Sequence, residues 1–148
     1  MISIDPAIIL AAQAAQKATG VLASISLAQY GLESGWGKFI TGAFNYFGVK
    51  AIPGQVSALC ATHEFINGKY ISVMARFACY ASPQDAFLAH AQLLANHPQY
   101  AKFMQENNVH SVQDACNALT GVYATAPNYG PTLYHIIVTE NLTQYDGL

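Results

Sequence analysis

The sequence predicts a mainly helical α+β domain that carries one small β-hairpin. Its 148 residues are 53% hydrophobic, which suits a single domain, residues 1–148, with a substantial core. Apolar residues recur at helical spacing on both sides of a central segment. That segment holds Asn67-Gly68 between two runs rich in Thr, Ile, Val, Tyr and Phe, a pattern typical of a β-hairpin with a two-residue turn.

Capping and helix-breaking residues delimit the predicted elements. Asp5 and Pro6 are suited to begin the first helix, and Gly20 is suited to end it. The run from Ser82 to Asp85 has the pattern of a capping box and begins the helix that follows the hairpin. The glycine-rich and aromatic stretch 39–54 predicts a loop. In chain order, the predictions are helices at 6–18 and 22–32, strands at 58–66 and 69–77, and helices at 83–95, 99–105, 112–119 and 131–144.

Composition and charge argue against several classes of partner. Only 9% of the residues are charged and the six Lys and Arg residues are scattered, so we expect no nucleic-acid binding. Nine tyrosines among so few charges suit a groove for a polar, uncharged ligand such as a sugar. No apolar run reaches membrane-spanning length, so we expect no stable membrane insertion.

The start of the sequence has no signal-peptide pattern. Met1 is followed by Ile-Ser-Ile-Asp without a basic region. We therefore expect the protein to be made in a cytoplasm without a signal peptide, and to reach any substrate outside it by another route.

The cysteines and histidines predict neither a metal site nor a cofactor. Cys60, Cys79 and Cys116 match no zinc or redox motif, and reduced thiols are the favoured interpretation. A disulfide between Cys60 and Cys79 across the hairpin is the alternative. No two histidines share a helix face at the spacing of metal ligands; they are His63, His90, His97, His110 and His135.

Glu33 stands where a regular apolar pattern ends. Apolar residues up to Leu32 recur at helical spacing and Gly35 stops the helix, so Glu33 is predicted in the last turn of a largely buried helix. Lost solvation and the negative end of the helix dipole both favour a protonated carboxyl group, which a general acid requires. Pairing with a basic neighbour such as Lys38 is the alternative.

Glu64 is the second candidate carboxylate and lies in the predicted hairpin. Glycoside hydrolases commonly place two carboxyl groups on either side of the scissile bond. An acid from a helix end and one from a hairpin lobe meet that description, although a solvated strand residue is the alternative for Glu64. Helix capping or a surface position accounts for the remaining acidic residues, which are Asp5, Asp85, Asp114, Glu106, Glu140 and Asp146.

Two motifs carry a family resemblance. Residues 28–37, AQYGLESGWG, followed by residues 45–50, NYFGVK, resemble the glucosaminidase family of peptidoglycan hydrolases, glycoside hydrolase family 73. The likeness extends from about Pro6 to Ile137 and includes, in the family's order, Thr62 to Phe65 with the Asn-Gly turn, Phe77 to Tyr80, His90 to Leu94, Tyr123 to Thr125 and Pro127 to Tyr129. One departure is Ala126, where the family typically has Asp.

The resemblance implies a lysozyme-like fold with a hairpin lobe at about 58–77, and cleavage of the β-1,4 bond after N-acetylglucosamine in peptidoglycan strands. By position, Glu33 matches the general acid and Glu64 matches the lobe carboxylate proposed as the base. Tyr123 matches a tyrosine that lines the site near the acid.

Five further residues are candidates for binding the substrate: Asn45, Tyr46, Phe47, Trp36 and Tyr129. Three of them have a structural alternative. Trp36 also suits a core anchor beneath the catalytic turn, Asn45 a residue that closes its own loop, and Tyr129 ordinary core packing.

The resemblance also suggests a biological setting. A catalytic module without an export signal or wall-binding repeats fits a monomeric bacteriophage endolysin that reaches a Gram-negative wall with the help of a holin. A virion-associated protein or a secretion-system hydrolase fits the same facts. For the activity itself, the alternatives are a muramidase or lytic transglycosylase that cleaves after N-acetylmuramic acid, and a non-catalytic peptidoglycan-binding module.

Overall fold

Within residues 1–109 and 111–147, which the computed structural model describes, six α-helices flank one antiparallel hairpin. The mainly helical α+β class is therefore confirmed. In chain order the elements are α1 (Pro6–Thr19), α2 (Ala23–Ser34), β1 (Ser57–Ile66), β2 (Lys69–Ala78), α3 (Pro83–Asn96), α4 (Ala101–Val109), α5 (Val112–Ala118) and α6 (Tyr129–Thr139). Short 3-10 helices lie at Pro98–Tyr100 and Leu142–Tyr145.

The helix starts follow the capping signals in the sequence. The Asp5 carboxylate accepts a hydrogen bond from the backbone N–H of Ala7 at 2.9 Å, and Pro6 takes the first helical position. The Ser82 hydroxyl accepts from the N–H of Asp85 at 3.1 Å at the start of α3. These caps satisfy backbone donors that a helix start leaves unpaired, which explains why the predicted starts are confirmed.

Helix α2 forms the centre of the molecule. Every residue from Ala23 to Gly31 is buried, because α1, α3 and α6 and the C-terminal 3-10 helix all pack against it. Gly35 ends the helix with a φ of +57°, a left-handed conformation that glycine adopts without a Cβ clash. The helix therefore carries Glu33 from the core to the surface in its last turn.

The hairpin forms a lobe beside the helices. Strands β1 and β2 pair from Ser57 opposite Ala78 to Ile66 opposite Lys69, within one residue of the predicted strands. Asn67 and Gly68 form the turn with φ values of +50° and +80°, as a type I′ turn requires. Residues 49–51 add a short edge to β2 through a hydrogen bond from the N–H of Ala78 to the carbonyl of Val49 at 2.9 Å.

The C-terminal region departs from the prediction. The single predicted helix 131–144 is instead α6, from Tyr129 to Thr139, followed by a separate 3-10 helix. Asn141 interrupts the helix with a φ of +51°. The chain then turns inward, and Asp146 accepts hydrogen bonds from the backbone N–H and the hydroxyl of Ser24, both at 2.7 Å. Asp146 therefore anchors the C-terminus to the start of α2, where the sequence predicted a surface role.

The cysteines are reduced throughout residues 1–109 and 111–147: Cys60, Cys79 and Cys116 are all free thiols. Cys60 lies opposite Ala75 in the hairpin, and Cys79 follows the end of β2, so the alternative disulfide does not form. Burial raises the pKa of the Cys116 thiol to about 12. None of the described helices has the length and apolar character needed to cross a bilayer.

Candidate active site

A cleft of about 280 Å³ separates the end of α2 from the hairpin lobe. Glu33 contributes from the helix side, Glu64 from β1, and Lys50 from the edge segment beside β2. The structure thus brings the two predicted carboxylates to one cleft. The other lining residues are Phe39, Thr41, Asn45, Tyr46, Gly48, Thr62, His63 and Phe77.

Glu33 lies at the mouth of this cleft. The helix that carries it is buried as predicted, but the side chain itself is exposed, because the last turn of α2 emerges from the core. Partial burial raises the pKa of the Glu33 carboxyl group above the ordinary value for glutamate, and a hydrogen bond from Tyr129 partly offsets this rise. Among the described residues, the ion pairs are Lys50–Glu64 and Lys102–Glu106, so Lys38 is not the partner of Glu33. The position and the direction of the pKa shift suit a general acid.

Tyr129 is the phenol that contacts the acid. Its hydroxyl donates to Glu33 Oε1 at 3.4 Å and accepts from Gln29 Nε2 at 3.1 Å. The neighbouring Gly130 fixes the start of α6, because a Cβ there would meet the Asn117 backbone at 2.7 Å. Tyr129 is thus buried and hydrogen-bonded to the acid, and it is not among the residues that line the cleft, so its predicted contact with the sugar stays a prediction.

Tyr123, which the resemblance placed near the acid, lies behind Tyr129. The centres of the two rings are 5.7 Å apart, and the Tyr123 ring also packs edge-on against His90 at 5.6 Å. Burial, with the negative charge of Glu33 as a smaller cause, raises the pKa of Tyr123 well above its ordinary value. Tyr123 therefore stays neutral at physiological pH and packs against Tyr129, outside the residues that line the cleft.

Glu64 forms an ion pair with Lys50, whose Nζ lies 2.5 Å from Glu64 Oε1. Lys50 is paired with Phe77 beside β2, and Phe77 lies opposite Ala58 in β1, six residues before Glu64. In a flat sheet, six residues would separate the two side chains by about 20 Å along the strand. The contact therefore requires the hairpin to curve, so that its distal half bends back over the cleft.

Asn45 has its side chain fully engaged by the backbone. It is 1% exposed, and its amide donates to the carbonyls of Val49 and Ala78, both at 2.9 Å, while its oxygen accepts from the N–H of Val49 at 3.0 Å. These contacts support the loop-closing role that the sequence left open. Asn45 shapes the cleft floor and joins the 45–49 loop to the hairpin base.

The remaining predicted residues are mainly packing groups. Tyr46 and Phe47 are buried and pack against Phe87, although Tyr46 also lines the cleft. Trp36 is half-buried and packs edge-on against Tyr30, with Gly31 directly beneath its ring. It lines cavities on the other side of the α2 end, which supports the core-anchor alternative.

Sequence reasoning did not identify Lys50, Gln29 or His90 as part of the site. Gln29 and His90 are polar residues within apolar helical runs, and that mismatch is the signal that marks them. No cluster of three His, Cys, Asp or Glu side chains suited to a metal ion occurs in the described part of the chain. His110 lies outside the described residues.

A helical core, a hairpin lobe and two carboxylates that line one cleft are the arrangement typical of glycoside hydrolases. A family model described as "Mannosyl-glycoprotein endo-beta-N-acetylglucosaminidase" matches residues 9–142. The chain belongs to this glucosaminidase family, glycoside hydrolase family 73, and the lysozyme-like fold with a hairpin lobe is confirmed.

Individual relatives match most of this chain and carry two different activity names. The Probable N-acetylmuramidase of Lactococcus lactis subsp. cremoris strain MG1363 is 38% identical over 138 residues, which cover 88% of this chain and 31% of that protein. The Exo-glucosaminidase LytG of Bacillus subtilis strain 168 is 33% identical over 134 residues, 85% of this chain and 46% of that protein. The chain thus spans under half the length of either relative.

A solved structure shows the same fold. The catalytic domain of the autolysin Auto from Listeria monocytogenes superposes with a TM-score of 0.86 at 30% sequence identity. The match covers 99% of this chain and 91% of that domain.

Proposed function

We propose that this chain hydrolyses peptidoglycan by cleaving the β-1,4 bond that follows N-acetylglucosamine. The observation that carries the proposal is that Glu33, an acid with a raised pKa, and Glu64, held by Lys50, line the same cleft. Membership of the glucosaminidase family and the likeness to Exo-glucosaminidase LytG support the choice of bond.

In the proposed reaction, Glu33 donates its proton to the glycosidic oxygen as the bond between that oxygen and C1 of N-acetylglucosamine breaks. The Glu64 carboxylate takes a proton from the water that attacks C1. Glu33 then regains a proton from solvent and Glu64 loses its own, which restores the starting state. Because Glu33 must begin protonated, we expect turnover to fall as the pH rises through its pKa.

A second candidate is cleavage on the other side of the disaccharide, after N-acetylmuramic acid. The specific observation in its favour is that a relative with 38% identity is named a Probable N-acetylmuramidase. Both carboxylates would keep the roles described above, so the two candidates differ in how the strand lies in the cleft.

The experiment that tests the proposal identifies the new chain ends. Purified peptidoglycan is digested with the wild-type protein and with Glu33→Gln, Glu64→Gln and Glu106→Gln, and the reduced products are identified by mass spectrometry. Glu106 pairs with Lys102 away from the cleft, so Glu106→Gln is the matched control that keeps its activity.

Reduced N-acetylglucosamine ends from the wild type and the control, but not from Glu33→Gln, are the expected result. Reduced muramic ends would instead establish the second candidate. Anhydromuramic ends with a dispensable Glu64 would indicate a lytic transglycosylase. Products that do not depend on Glu33, or no products at all, would overturn the enzymatic proposal in favour of a binding module.

Peptidoglycan strands are thus the proposed partner. Action in phage-induced lysis, dependence on a holin and a monomeric state stay predictions.

A further inference from the structure

Four side chains from three helices form a hydrogen-bonded chain that ends on the acid. His90 Nε2 on α3 lies 2.8 Å from Gln29 Oε1 on α2. Gln29 Nε2 donates to the Tyr129 hydroxyl on α6 at 3.1 Å, and that hydroxyl donates to Glu33 Oε1 at 3.4 Å. His90, Gln29 and Tyr129 are all buried, so water does not compete for these bonds.

The buried His90 determines the direction of donation along these hydrogen bonds. Burial lowers the pKa of His90 to about 3, so its ring is neutral and carries a single proton. Nδ1 of this ring is buried and has no hydrogen-bond partner among residues 1–109 and 111–147, and an N–H placed there would be left unpaired. The proton therefore lies on Nε2, which donates to Gln29 Oε1.

The Gln29 side-chain amide continues this direction of hydrogen-bond donation. With Oε1 facing His90, Gln29 can present only its N–H groups to Tyr129. The Tyr129 oxygen accepts this bond, so its own proton points to Glu33 Oε1. If the hydrogen bonds ran in the reverse direction, Tyr129 would donate to Gln29 and accept from Glu33, and Glu33 would then direct its acidic proton to the phenol and away from the cleft.

We propose that Gln29 and His90 are positioning residues that keep Tyr129 donating to Glu33 Oε1, so that the catalytic proton is carried on Oε2. The proposal rests on the proposed function, because it assigns the oxygen from which Glu33 protonates the glycosidic oxygen. In that step the Oε2–H bond breaks, the glycosidic oxygen gains the proton, and its bond to C1 breaks. The donated bond from Tyr129 then stabilises the carboxylate that remains.

The hydrogen-bonded series from His90 to Glu33 predicts how the pKa of Glu33 responds to substitution. Donation from Tyr129 lowers this pKa against the effect of burial, so loss of the donor raises it. The other titratable or charged groups around Glu33 lie on the loops, the hairpin and the approach to α6, and none is altered in the variants below. They are Tyr46, Lys50, His63, Glu64 and Tyr123.

The test is a titration of the Glu33 carboxyl carbon by ¹³C NMR in folded protein, with the signal assigned by its loss in Glu33→Gln. Tyr129→Phe removes the donor itself, and Gln29→Met removes the amide that orients it at nearly constant side-chain volume. Both are expected to raise the pKa of Glu33 by up to about one unit. The alkaline limb of kcat should move upward by the same amount while KM stays within about twofold, since neither residue contacts the sugar in this proposal.

Gln16→Met is the matched control for Gln29→Met. Gln16 is also a buried glutamine with two hydrogen bonds, to the N–H of Ala23 and the carbonyl of Asp146, but it lies away from the cleft. Its substitution is expected to lower the melting temperature and leave the pKa of Glu33 unchanged. Gln29→Asn, which withdraws the amide by one methylene, gives a second variant if Gln29→Met does not fold.

His90 is tested by a pair of variants. His90→Leu removes the donor at Nε2. We expect it to raise the pKa of Glu33, as Gln29→Met does. His90→Gln keeps an N–H that reaches towards Gln29 and is expected to restore the wild-type titration.

The failures of the two proposals are distinguishable because the NMR titration needs no activity. A Gln29 variant that is folded and titrates like Gln16→Met would overturn the positioning role, even if hydrolysis depends on Glu33. A raised pKa of Glu33 in Tyr129→Phe and the Gln29 variants, without any hydrolysis by the wild type, would support the positioning role and overturn the proposed function.

Discussion

Lys50 Nζ and Glu64 Oε1 lie 2.5 Å apart, and this contact joins the base of the hairpin to its distal half across the cleft. More than a third of each side chain is exposed, so the pair contributes little to stability. Its effect is on geometry, because it holds the second carboxylate on the cleft side of a curved strand.

Loss of this contact should impair turnover more than stability. We expect Lys50→Met to change the free energy of unfolding by less than about 1 kcal/mol. We expect it to lower kcat about ten- to hundredfold, because Glu64 is no longer held at the cleft. Urea unfolding and steady-state hydrolysis of peptidoglycan measure the two effects.

Lys102→Met provides the comparison. Lys102 is exposed and lies 4.0 Å from Glu106 away from the cleft, so this variant should change neither quantity appreciably. Equal activity in Lys50→Met and Lys102→Met would show that the cleft does not need the Lys50 contact.

Gly31 should not tolerate a larger side chain, because a Cβ there would lie 2.6 Å from two atoms of the Trp36 ring. We expect Gly31→Ala to destabilise the protein by about 1–3 kcal/mol through overpacking. Since Trp36 is the single tryptophan, its fluorescence spectrum reports the displacement of the ring directly. In Gly147→Ala, the added Cβ has no described heavy atom within 4 Å, so stability and fluorescence should match the wild type.

Substitution of Asn45 should lower the stability of the protein more than it lowers substrate affinity. Asn45→Ala removes the side-chain donor to the carbonyl of Ala78 and the acceptor of the Val49 N–H, and each such group left unpaired away from water costs about 1–3 kcal/mol. Chemical denaturation should therefore show a loss of at least about 2 kcal/mol, against little change in the exposed control Asn96→Ala. A normal stability combined with a raised KM would point instead to a sugar contact.

Burial of His90 should make the protein sensitive to acid. The pKa of His90 is about 3 in the folded protein, against 6.5 when unfolded, so below pH 6.5 the unfolded chain binds more protons. The stability that this group contributes is present above pH 6.5 and is lost as the pH falls. At 1.36 kcal/mol per unit, the loss reaches about 3 kcal/mol by pH 4.

Urea unfolding at pH 7 and pH 4 measures this loss. His90→Gln removes the titrating group and should flatten the pH dependence, whereas the exposed His97→Gln should not. An unchanged pH dependence in His90→Gln would mean that His90 is protonated within the folded protein.

The features that could be predicted from the sequence are those encoded locally. Asp5 and Ser82 mark helix starts through bonds to residues two and three positions away, and Asn67-Gly68 determines its own turn. Glu33 was found because the apolar pattern of α2 ends beside it, and Glu64 because few other acids were left unexplained.

The features that were missed depend on residues distant in sequence. Gln29 and Tyr129 are 100 positions apart, His90 and Gln29 are 61 apart, and Asp146 caps a helix start 122 positions away. No periodic or capping signal encodes such pairs, because they exist only after the helices pack. The exposed position of Glu33 was missed for a similar reason, since the direction in which α2 emerges is set by its neighbours.

The curvature of the hairpin means that the two carboxylates of the cleft respond to different forces. Glu33 is placed by a helix packed in an apolar core, and dissolved ions barely affect such packing. Glu64 is placed by a charge contact at the surface, which the surrounding salt screens over a distance of about 8 Å at physiological ionic strength. We therefore expect the position of the Glu64 side chain to respond to the ionic composition of the medium, and the helix that carries Glu33 to keep its position.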